Sequence, residues 1–248
     1  MEPEEYALIS AVENNHWWYK GLRNFVLKKL ADRTDPNARI LDAGCGTGGV
    51  LAAINRHFPG TKTVGIDYSP NAMVHANEKA RGHVMLGNVE ALPFSDSSFD
   101  VIISLDVIYH SSVDDEKAIR EFMRVAKPGG LVLVHVPAYE WLRSDHDIVV
   151  HTARRYTAGK LRSRFGAAGF RAVECGYRNS LLFPAMAAQR LLNKVRRRHS
   201  PKSAVVHHQR VINTFLSTTL AVEGMLLRTG VRFPGGGSVF AIFKKANT

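Results

Sequence analysis

Cysteine and long apolar segments are both scarce in this chain of 248 residues. The two cysteines, Cys45 and Cys175, stand far apart without a C-x-x-C pair, so the sequence predicts free thiols instead of a disulfide framework. No uninterrupted apolar run is long enough to cross a bilayer, and no secretory leader is recognisable. We therefore expect a cytoplasmic protein, with the inner membrane surface as the alternative location.

Acidic residues are also few, because 22 Asp and Glu stand against 33 Lys and Arg and the formal net charge is +11. An excess of this sign predicts an anionic partner: an anionic substrate, an acidic membrane surface or nucleic acid. Nucleic acid is the least favoured, since no known binding motif and no interleaved aromatic residues accompany the charge. A solvated loop is the plain alternative for the run 196–198. The clustered basic residues are Arg190, Lys194, Arg196, Arg197, Arg198, Lys202, Arg210 and Arg228.

Glycine is concentrated in one short segment, Ile40–Gly49, where a predicted buried strand ends in Asp42 and a turn leads into a helix. Gly44, Gly46 and Gly48 carry no Cβ atom, so a ligand can approach the backbone of this turn closely. The first turn of the following helix offers free N–H groups and a positive dipole end to an anion. The segment therefore predicts a site for a small ligand with an anionic group.

Two classes of cofactor fit such a turn. Gly44, Gly46 and Gly49 match the G-x-G-x-x-G pattern of dinucleotide-binding folds, which is a weak signal alone. Asp42 argues against that class, because a carboxylate this close to a pyrophosphate is unfavourable unless it is neutralised. The same acid suits a ligand that carries an ammonium and a sulfonium group beside one carboxylate, and S-adenosylmethionine has this pattern of charge.

Further segments follow the glycine turn in an ordered series. Thr63–Asp67 is a second predicted strand that ends in an acid, nineteen residues after Gly48, where the carboxylate can accept hydrogen bonds from ribose hydroxyls. Gly87–Phe94 precedes the predicted strand Ser98–Ser104, and Arg124–Leu133 contains a Pro-Gly-Gly turn before a fifth strand. Strands that alternate with helices in this way predict a parallel sheet with ligands beyond its carboxyl ends.

The four motifs between Ala38 and Val136 resemble, in order and spacing, those of the class I S-adenosylmethionine-dependent methyltransferases, in the branch found with polysaccharide and natural-product biosynthesis. The resemblance implies S-adenosyl-L-methionine as cofactor and S-adenosyl-L-homocysteine as product. Asn88 stands where the family commonly has Asp, so an amide oxygen replaces a charged contact to adenine. The implied cofactor-binding residues are Asp42, Gly44, Gly46, Gly48, Asp67, Tyr68, Asn88, Val89, Leu105, Tyr19 and Arg23.

The resemblance also completes the predicted α/β fold. We expect a seven-stranded, mostly parallel, doubly wound sheet whose last strand is antiparallel and lies beside the sixth. An N-terminal helical lid and a helical insertion between strands six and seven complete a single methyltransferase domain. The predicted divisions are 1–37 for the lid, 38–180 for the cofactor-binding core, 181–230 for the helical cap insertion and 231–248 for the final strand.

Aromatic residues are concentrated near the N-terminus. Trp17 and Trp18 are adjacent, and neighbouring side chains on a helix point about 100° apart, so the two cannot enter one core stripe. We expect one of them to face the active site, with Trp17 as a substrate contact, and packing of both against the sheet is the alternative. By resemblance, this segment closes the cofactor pocket and brings Tyr19 or Arg23 to the carboxylate of the cofactor.

Methyl transfer to a hydroxyl requires one catalytic side chain, a base that removes the proton. The predicted candidates are His110, after the fourth strand, and His146 and His151, in a segment similar to one common in the same branch. His135 alternates with valines in strand five and is predicted to be a core residue. His146, Asp147 and His151 are an alternative set of ligands for a divalent metal, but no metal is predicted, because their helical register is not assured and no fourth ligand is evident. The predicted substrate-binding residues are Trp17, Tyr109, Arg154, Arg155 and Tyr156, with the arginines neutralising an anionic acceptor.

The acceptor class follows from the residues after the fourth strand. Enzymes that methylate exocyclic adenine or glutamine amides carry a Pro-Pro pair with an aromatic there, whereas this chain has Ser104–Val107. The leading hypothesis is an O-methyltransferase that uses a histidine base on a small or lipid- or carrier-linked metabolite, with peripheral membrane contact as a secondary expectation. The alternatives are a non-catalytic cofactor-binding adaptor that acts through the basic insertion, and an RNA methyltransferase.

Overall fold

The computed structural model describes residues 3–80, 83–195 and 210–247 and contains one seven-stranded sheet. Its strands are β1 Arg39–Ala43, β2 Lys62–Asp67, β3 Val84–Leu86, β4 Phe99–Leu105, β5 Ala126–Pro137, β6 Arg171–Arg178 and β7 Ser238–Lys244. The strand order is β3-β2-β1-β4-β5-β7-β6. All neighbours are parallel except at β7, which runs antiparallel to β5 and β6. The predicted sheet is confirmed, with its antiparallel last strand beside the sixth.

Helices cover both faces of this sheet. They are α1 Pro3–Val12, α2 Trp17–Ala31, α3 Gly49–His57, α4 Pro70–Ala80, α5 Asp115–Val125, α6 Asp145–Val149, α7 Ala158–Ala167, α8 Phe183–Val195 and α9 Arg210–Arg228, with a short 3-10 helix at Glu140–Leu142. The predicted N-terminal lid is the helical pair α1 and α2, and the predicted insertion contains α8 and α9. The boundaries between lid, core and cap remain predictions.

Alternation along the central strands divides the core into two halves, because successive side chains of a strand point to opposite faces. On one face, Leu41 and Ile102 are buried against α5 and α7. On the other, Ile40 and Ile103 are buried against α2, α3 and the end of α9. Both halves leave the carboxyl ends of the parallel strands as a common edge, where ligands bind in folds of this kind.

The start of β5 differs from the prediction. The sequence predicts a Pro-Gly-Gly turn and a strand that begins near residue 130, whereas the strand begins at Ala126. Ala126 pairs with Phe99, and the register then shifts before Leu131 pairs with Val101. Gly129 has a φ of +74°, which glycine adopts readily, so the turn is absorbed as an irregularity within the strand.

The insertion packs on the N-terminal lid through α9. Leu220 contacts Gly21 of α2, and the side-chain amide oxygen of Asn213 accepts the backbone N–H of Trp17 at 2.9 Å. The buried carboxylate of Glu223 accepts backbone N–H groups from residues 179–181 at the end of β6. Within the described residues, no helix has the length and hydropathy needed to span a membrane. Of the predicted basic cluster, Arg196, Arg197, Arg198 and Lys202 lie outside the described residues.

Candidate functional site

The glycine turn between β1 and α3 has open space in front of it. Gly44 has a φ of +91°, and a Cβ atom there would overlap the Val107 side chain. Gly46 has a φ of +52°, and no atom lies within 4 Å of the place where its Cβ would stand. Gly44 therefore allows the segment after β4 to approach, and Gly46 leaves room for a ligand against the backbone.

Two buried carboxyl groups flank this turn. The Asp67 carboxylate, at the end of β2, accepts N–H groups from Gly46 at 2.9 Å and Ser69 at 3.0 Å. Burial raises its pKa, although these N–H groups oppose the effect. Asp42 is 2% exposed, and its burial, followed by the charge of Asp67, raises its pKa to about 7. No cationic side chain of the described residues pairs with Asp42, so the position fits a ligand that brings its own positive charge.

Four further residues expected to bind the cofactor, three of them around the adenine, lie at the same edge and differ in exposure. Tyr68 is 56% exposed, so its ring is accessible to the adenine ring of a cofactor. The Asn88 amide oxygen accepts the Glu90 N–H at 2.9 Å, which fixes the orientation of this turn, and Val89 is buried. Leu105 is half-buried at the last position of β4. The predicted adenine contacts thus remain compatible with the geometry.

The N-terminal helices close over the glycine turn. The Glu13 carboxylate lies against Gly49 at the start of α3 and pairs with Lys79 of α4. Arg23, predicted to reach the cofactor carboxylate, donates to the backbone oxygens of Glu13 and Asn14, each at 3.2 Å. Arg23 is therefore engaged in holding the lid, and its predicted ligand contact would require these bonds to be exchanged.

Two side chains that the sequence analysis did not place in the functional site, Asp106 and His135, form a pair near the ends of β4 and β5. His135 Nδ1 is 3.0 Å from Asp106 Oδ1, and the Asp106 N–H donates to the His135 oxygen at 2.9 Å. Asp106 has a φ of +56°, a conformation uncommon for residues other than glycine and often found at functional sites. His135 is fully buried, and its Nε2 has no hydrogen-bond partner among the described residues.

Aromatic residues surround this His135–Asp106 pair. The Trp18 ring meets His135 edge-on, with 5.9 Å between ring centroids, and Trp17 lies edge-on to Trp18 at 5.7 Å. Burial raises the pKa of Tyr19 and of Tyr109, and the charge of Asp106 is the next cause for both. Trp18, and not only Trp17, therefore belongs to the candidate site.

Of the three predicted base candidates, His146 lies in α6, and His110 and His151 lie in loops that are joined by a backbone hydrogen bond. His110 stacks on Tyr109 at 4.4 Å, and its burial lowers its pKa to about 4. Burial also lowers the pKa of His146. The Ser111 N–H donates to the His151 oxygen at 2.9 Å, which joins the loop after β4 to the segment after β5. None of the described His, Cys, Asp and Glu residues forms a group of three or more that could hold a metal ion.

Arg155 and Tyr156, predicted to bind substrate, have partners within the fold. Arg155 is 5% exposed and forms two bonds to Asp147, from Nε at 2.8 Å and from Nη2 at 3.0 Å. Tyr156 is fully buried, and its hydroxyl donates to Asp115 at 2.7 Å. Their polar groups are satisfied within the chain, so the predicted substrate contacts would require these bonds to be exchanged.

Arg154 is partly exposed but also engaged. Its guanidinium donates to the Ile108 and Val113 backbone oxygens at 3.0 Å and 2.8 Å. These bonds hold the loop that follows β4, which also carries Asp106 and Tyr109. Arg154 can therefore affect the site through this loop, while a direct contact to an anionic acceptor remains a prediction.

Comparisons with known proteins agree with this geometry. Residues 41–134 match the model of a family described as a methyltransferase domain. The 24-methylenesterol C-methyltransferase 2 of Oryza sativa subsp. japonica is 38% identical over 127 residues, which are 48% of this chain and 33% of the relative. A Homo sapiens protein named "Probable tRNA methyltransferase 9B" is 32% identical over 156 residues, 61% of this chain and 33% of that protein. This chain thus spans a third of the length of both relatives.

The solved structures extend the similarity over most of the chain. Haemonchus contortus phosphoethanolamine N-methyltransferase 2, in complex with S-adenosyl-L-methionine, matches with a TM-score of 0.61 at 19% identity, covering 92% of this chain and 53% of that one. At this identity the match concerns the fold. The family match, by contrast, covers the glycine turn, Asp67 and Asp106 after β4, and it stops one residue before His135 in β5.

Proposed function

We propose an acceptor group and a base for this chain from one premise: it belongs to the class I, Rossmann-like S-adenosylmethionine-dependent methyltransferases, enzymes whose cofactor is S-adenosyl-L-methionine. The proposed reaction is methyl transfer to a hydroxyl group of a small or lipid- or carrier-linked metabolite, with His135 as general base. The observation that supports this choice is the His135–Asp106 pair beside the glycine turn.

The cofactor site uses the groups that the turn already presents. S-adenosyl-L-methionine, when bound, supplies a methyl carbon activated by a positively charged sulfur. Asp67 accepts hydrogen bonds from the ribose hydroxyls in place of its present N–H donors, and the backbone at Gly46 lies against the ligand. Asp42 faces the positive charge, which favours its ionised form over the neutral form that burial favours.

The base follows from the tautomer that Asp106 selects. A carboxylate 3.0 Å from Nδ1 favours the proton on that nitrogen and leaves the Nε2 lone pair free to accept one. Nε2 is buried and has no hydrogen-bond partner in the described part of the chain, as expected for an atom that receives the acceptor's proton. Asp106 then stabilises the imidazolium that forms, in the way an orienting carboxylate acts in other histidine-dependent sites.

The lid supplies orientation and excludes water. Trp18 packs edge-on against His135, and the charge of Asp106 acts on the phenols of Tyr19 and Tyr109. Aromatic walls of this kind hold an acceptor in line with the methyl group and keep competing water away. In this proposal Trp17 and Tyr109 retain their predicted role in acceptor binding, and His110, with its pKa lowered to about 4, is too weak a base at neutral pH to compete.

RNA methylation is the second candidate, and two observations favour it. One relative carries the name of a tRNA methyltransferase, and the net charge of +11 suits a polyanion. An RNA substrate would make binding strongly dependent on salt, whereas a metabolite in a closed aromatic site would not. The two candidates therefore differ in a quantity that is simple to measure.

The experiment is transfer of a labelled methyl group from S-adenosyl-L-methionine by the purified chain. A panel of hydroxylated metabolites, lipid-linked acceptors and bulk tRNA is tested, with calorimetric binding of the cofactor measured in parallel. Label in an ether product supports the proposal, and label in tRNA at low salt would replace it with the second candidate. Cofactor binding without transfer to any class would favour the adaptor hypothesis.

A further inference from the structure

Helix α9 has an apolar face that the described chain leaves uncovered. Its inner side is buried through Leu220, Glu223 and Leu227. On the opposite side, Val211, Phe215, Val222 and Met225 follow at helical spacing and are 80%, 66%, 43% and 57% exposed. An exposed stripe of large apolar side chains on a soluble fold marks a surface that contacts something else.

The other helix of the insertion also carries exposed apolar side chains. In α8, Leu191 and Leu192 are 51% and 54% exposed, and Leu181 just before it is 41% exposed. Both helices of the insertion thus present large aliphatic or aromatic side chains outward. We call the surface of α9 formed by Val211, Phe215, Val222 and Met225 the cap face.

The sequence of the insertion carries charge of almost one sign. Residues 181–230 contain eight Lys and Arg and a single acid, Glu223, so they supply +7 of the net charge of +11. Glu223 is 1% exposed and is occupied by backbone N–H groups. Among the described residues, Arg210 and Arg228 stand exposed at the two ends of α9. No described carboxylate of the insertion therefore reaches its surface.

A basic groove adjoins the cap face between α2 and α9. It has a volume of about 360 Å³ and is lined by Lys20, Lys28, Arg178 and Arg228, with hydroxyl groups of α9 and one carboxylate, Asp32. Arg178 is 4% exposed. Its guanidinium donates to the Gly21 oxygen at 3.3 Å and lies over the Phe25 ring, and it pairs with no carboxylate of the described chain. A buried cation without a counter-ion beside open space indicates a place for an anion.

We propose that the cap face docks on an anionic phospholipid bilayer, with the apolar stripe of α9 among the lipid headgroups and the basic groove on a phosphate. Apolar side chains bordered by Lys and Arg are the pattern of helices that lie in a membrane interface. A second copy of the chain fits less well, because two such cap faces would bring like charges together. This inference does not depend on the proposed acceptor or base.

Vesicle flotation of the full chain tests the proposal. We expect binding to vesicles of phosphatidylcholine with phosphatidylglycerol to exceed binding to phosphatidylcholine alone by about tenfold or more and to weaken as salt is raised. Phe215→Glu and Met225→Glu should each lower binding about tenfold, because a charge replaces a side chain that enters the interface. Val74→Glu, the same kind of change at a 60% exposed site on α4, is the matched control.

The groove has its own variants. Lys28→Glu and Arg228→Glu should reduce binding to the anionic vesicles and its salt dependence, while Lys62→Glu, at the amino-terminal end of β2, leaves both unchanged. The proposal is overturned if the chain floats with neither vesicle at low salt, or if Val74→Glu weakens binding as much as Phe215→Glu. It is also overturned if sedimentation velocity shows a dimer that Phe215→Glu dissociates, or if tRNA binds tightly in a manner that Phe215→Glu removes. Methyl transfer is measured separately, so loss of vesicle binding leaves the proposed reaction intact.

Discussion

The cofactor side and the acceptor side of the sheet edge each contain an acid, the buried Asp67 and the half-buried Asp106, and the two acids are hydrogen-bonded in different ways. Asp67 on the cofactor side accepts backbone N–H groups from Gly46 and Ser69. Asp106 on the acceptor side pairs with the side chain of His135 on the neighbouring strand. A site made of backbone groups needs glycine at fixed positions, so it can be recognised as a sequence motif. A pair of side chains from two distant segments of the chain produces no such motif.

The sharpest test of this comparison is His135→Asn, which retains an N–H that can face Asp106 but has no basic nitrogen. We expect kcat for methyl transfer to a hydroxyl acceptor to fall by about 10²–10⁴-fold, the usual contribution of a general base. The affinity for S-adenosyl-L-methionine should stay the same, because the cofactor side is built from other residues. Steady-state kinetics and calorimetry measure the two quantities.

His110→Asn is the matched control, since the same change is made at the predicted base on the next loop. It should change kcat by less than about tenfold, because a histidine with its pKa lowered to about 4 is a poor base at neutral pH. If His110→Asn abolished transfer and His135→Asn did not, the assignment of the base would move to the loop after β4. His146→Asn and His151→Asn complete the set.

The second test compares the two adjacent arginines that the sequence treats alike. Arg155→Met leaves the buried Asp147 carboxylate without its partner, and removing one member of a buried pair costs about 3–5 kcal/mol of unfolding free energy. Arg154→Met removes two hydrogen bonds to backbone oxygens and a longer ion pair with Asp115, at 3.7 Å, from a partly exposed side chain, so we expect a smaller loss of about 1–2 kcal/mol. Urea unfolding measures both, and equal losses would contradict the distinction between framework and surface.

These examples show how much of the fold and of the candidate site can be predicted from the sequence. The alternation of strands and helices, the glycine turn and the position of Asp67 follow from periodicity and from backbone requirements, whereas the antiparallel last strand beside the sixth follows from the family resemblance; the structure agrees with all of them. The predicted substrate contacts of Arg155 and Tyr156 rest on polar groups visible in the sequence, while their partners in the fold, Asp147 and Asp115, are identified only by packing. His135 alternates with valines as core residues do, and only the register that places it beside Leu105 brings it to Asp106.

A third test separates two glycines of one turn. Gly44→Ala should lower the unfolding free energy by about 2–3 kcal/mol, because a positive φ is combined with overlap against Val107. Gly46→Ala meets only open space and should cost about 1 kcal/mol. For Gly46→Ala, the loss of binding free energy for S-adenosyl-L-methionine should nevertheless exceed the loss of unfolding free energy. Paired urea titration and calorimetry check this, and normal cofactor affinity in Gly46→Ala would place the ligand elsewhere.

The smallest expected effect concerns pH and Asp42. Burial raises the pKa of this carboxyl to about 7, above its ordinary value of 3.8. Below pH 7 the carboxyl of Asp42 in the free folded chain is therefore mostly protonated. Its contribution to the unfolding free energy is complete below pH 3.8, the ordinary pKa, and is lost as the pH rises through about 7. A positively charged cofactor favours the ionised form instead, so binding at pH 6 should release a proton.

The affinity for S-adenosyl-L-methionine should accordingly be about tenfold lower at pH 6 than at pH 8, since each pH unit below the pKa changes the ionised fraction about tenfold. Calorimetry in buffers of different ionisation enthalpy measures both the affinity and the proton released. Asp42→Asn should bind more weakly at pH 8 and lose the dependence on pH. A dependence that persists in Asp42→Asn would assign the titration to Asp67, whose pKa burial also raises, and would leave Asp42 with a purely structural role in the turn.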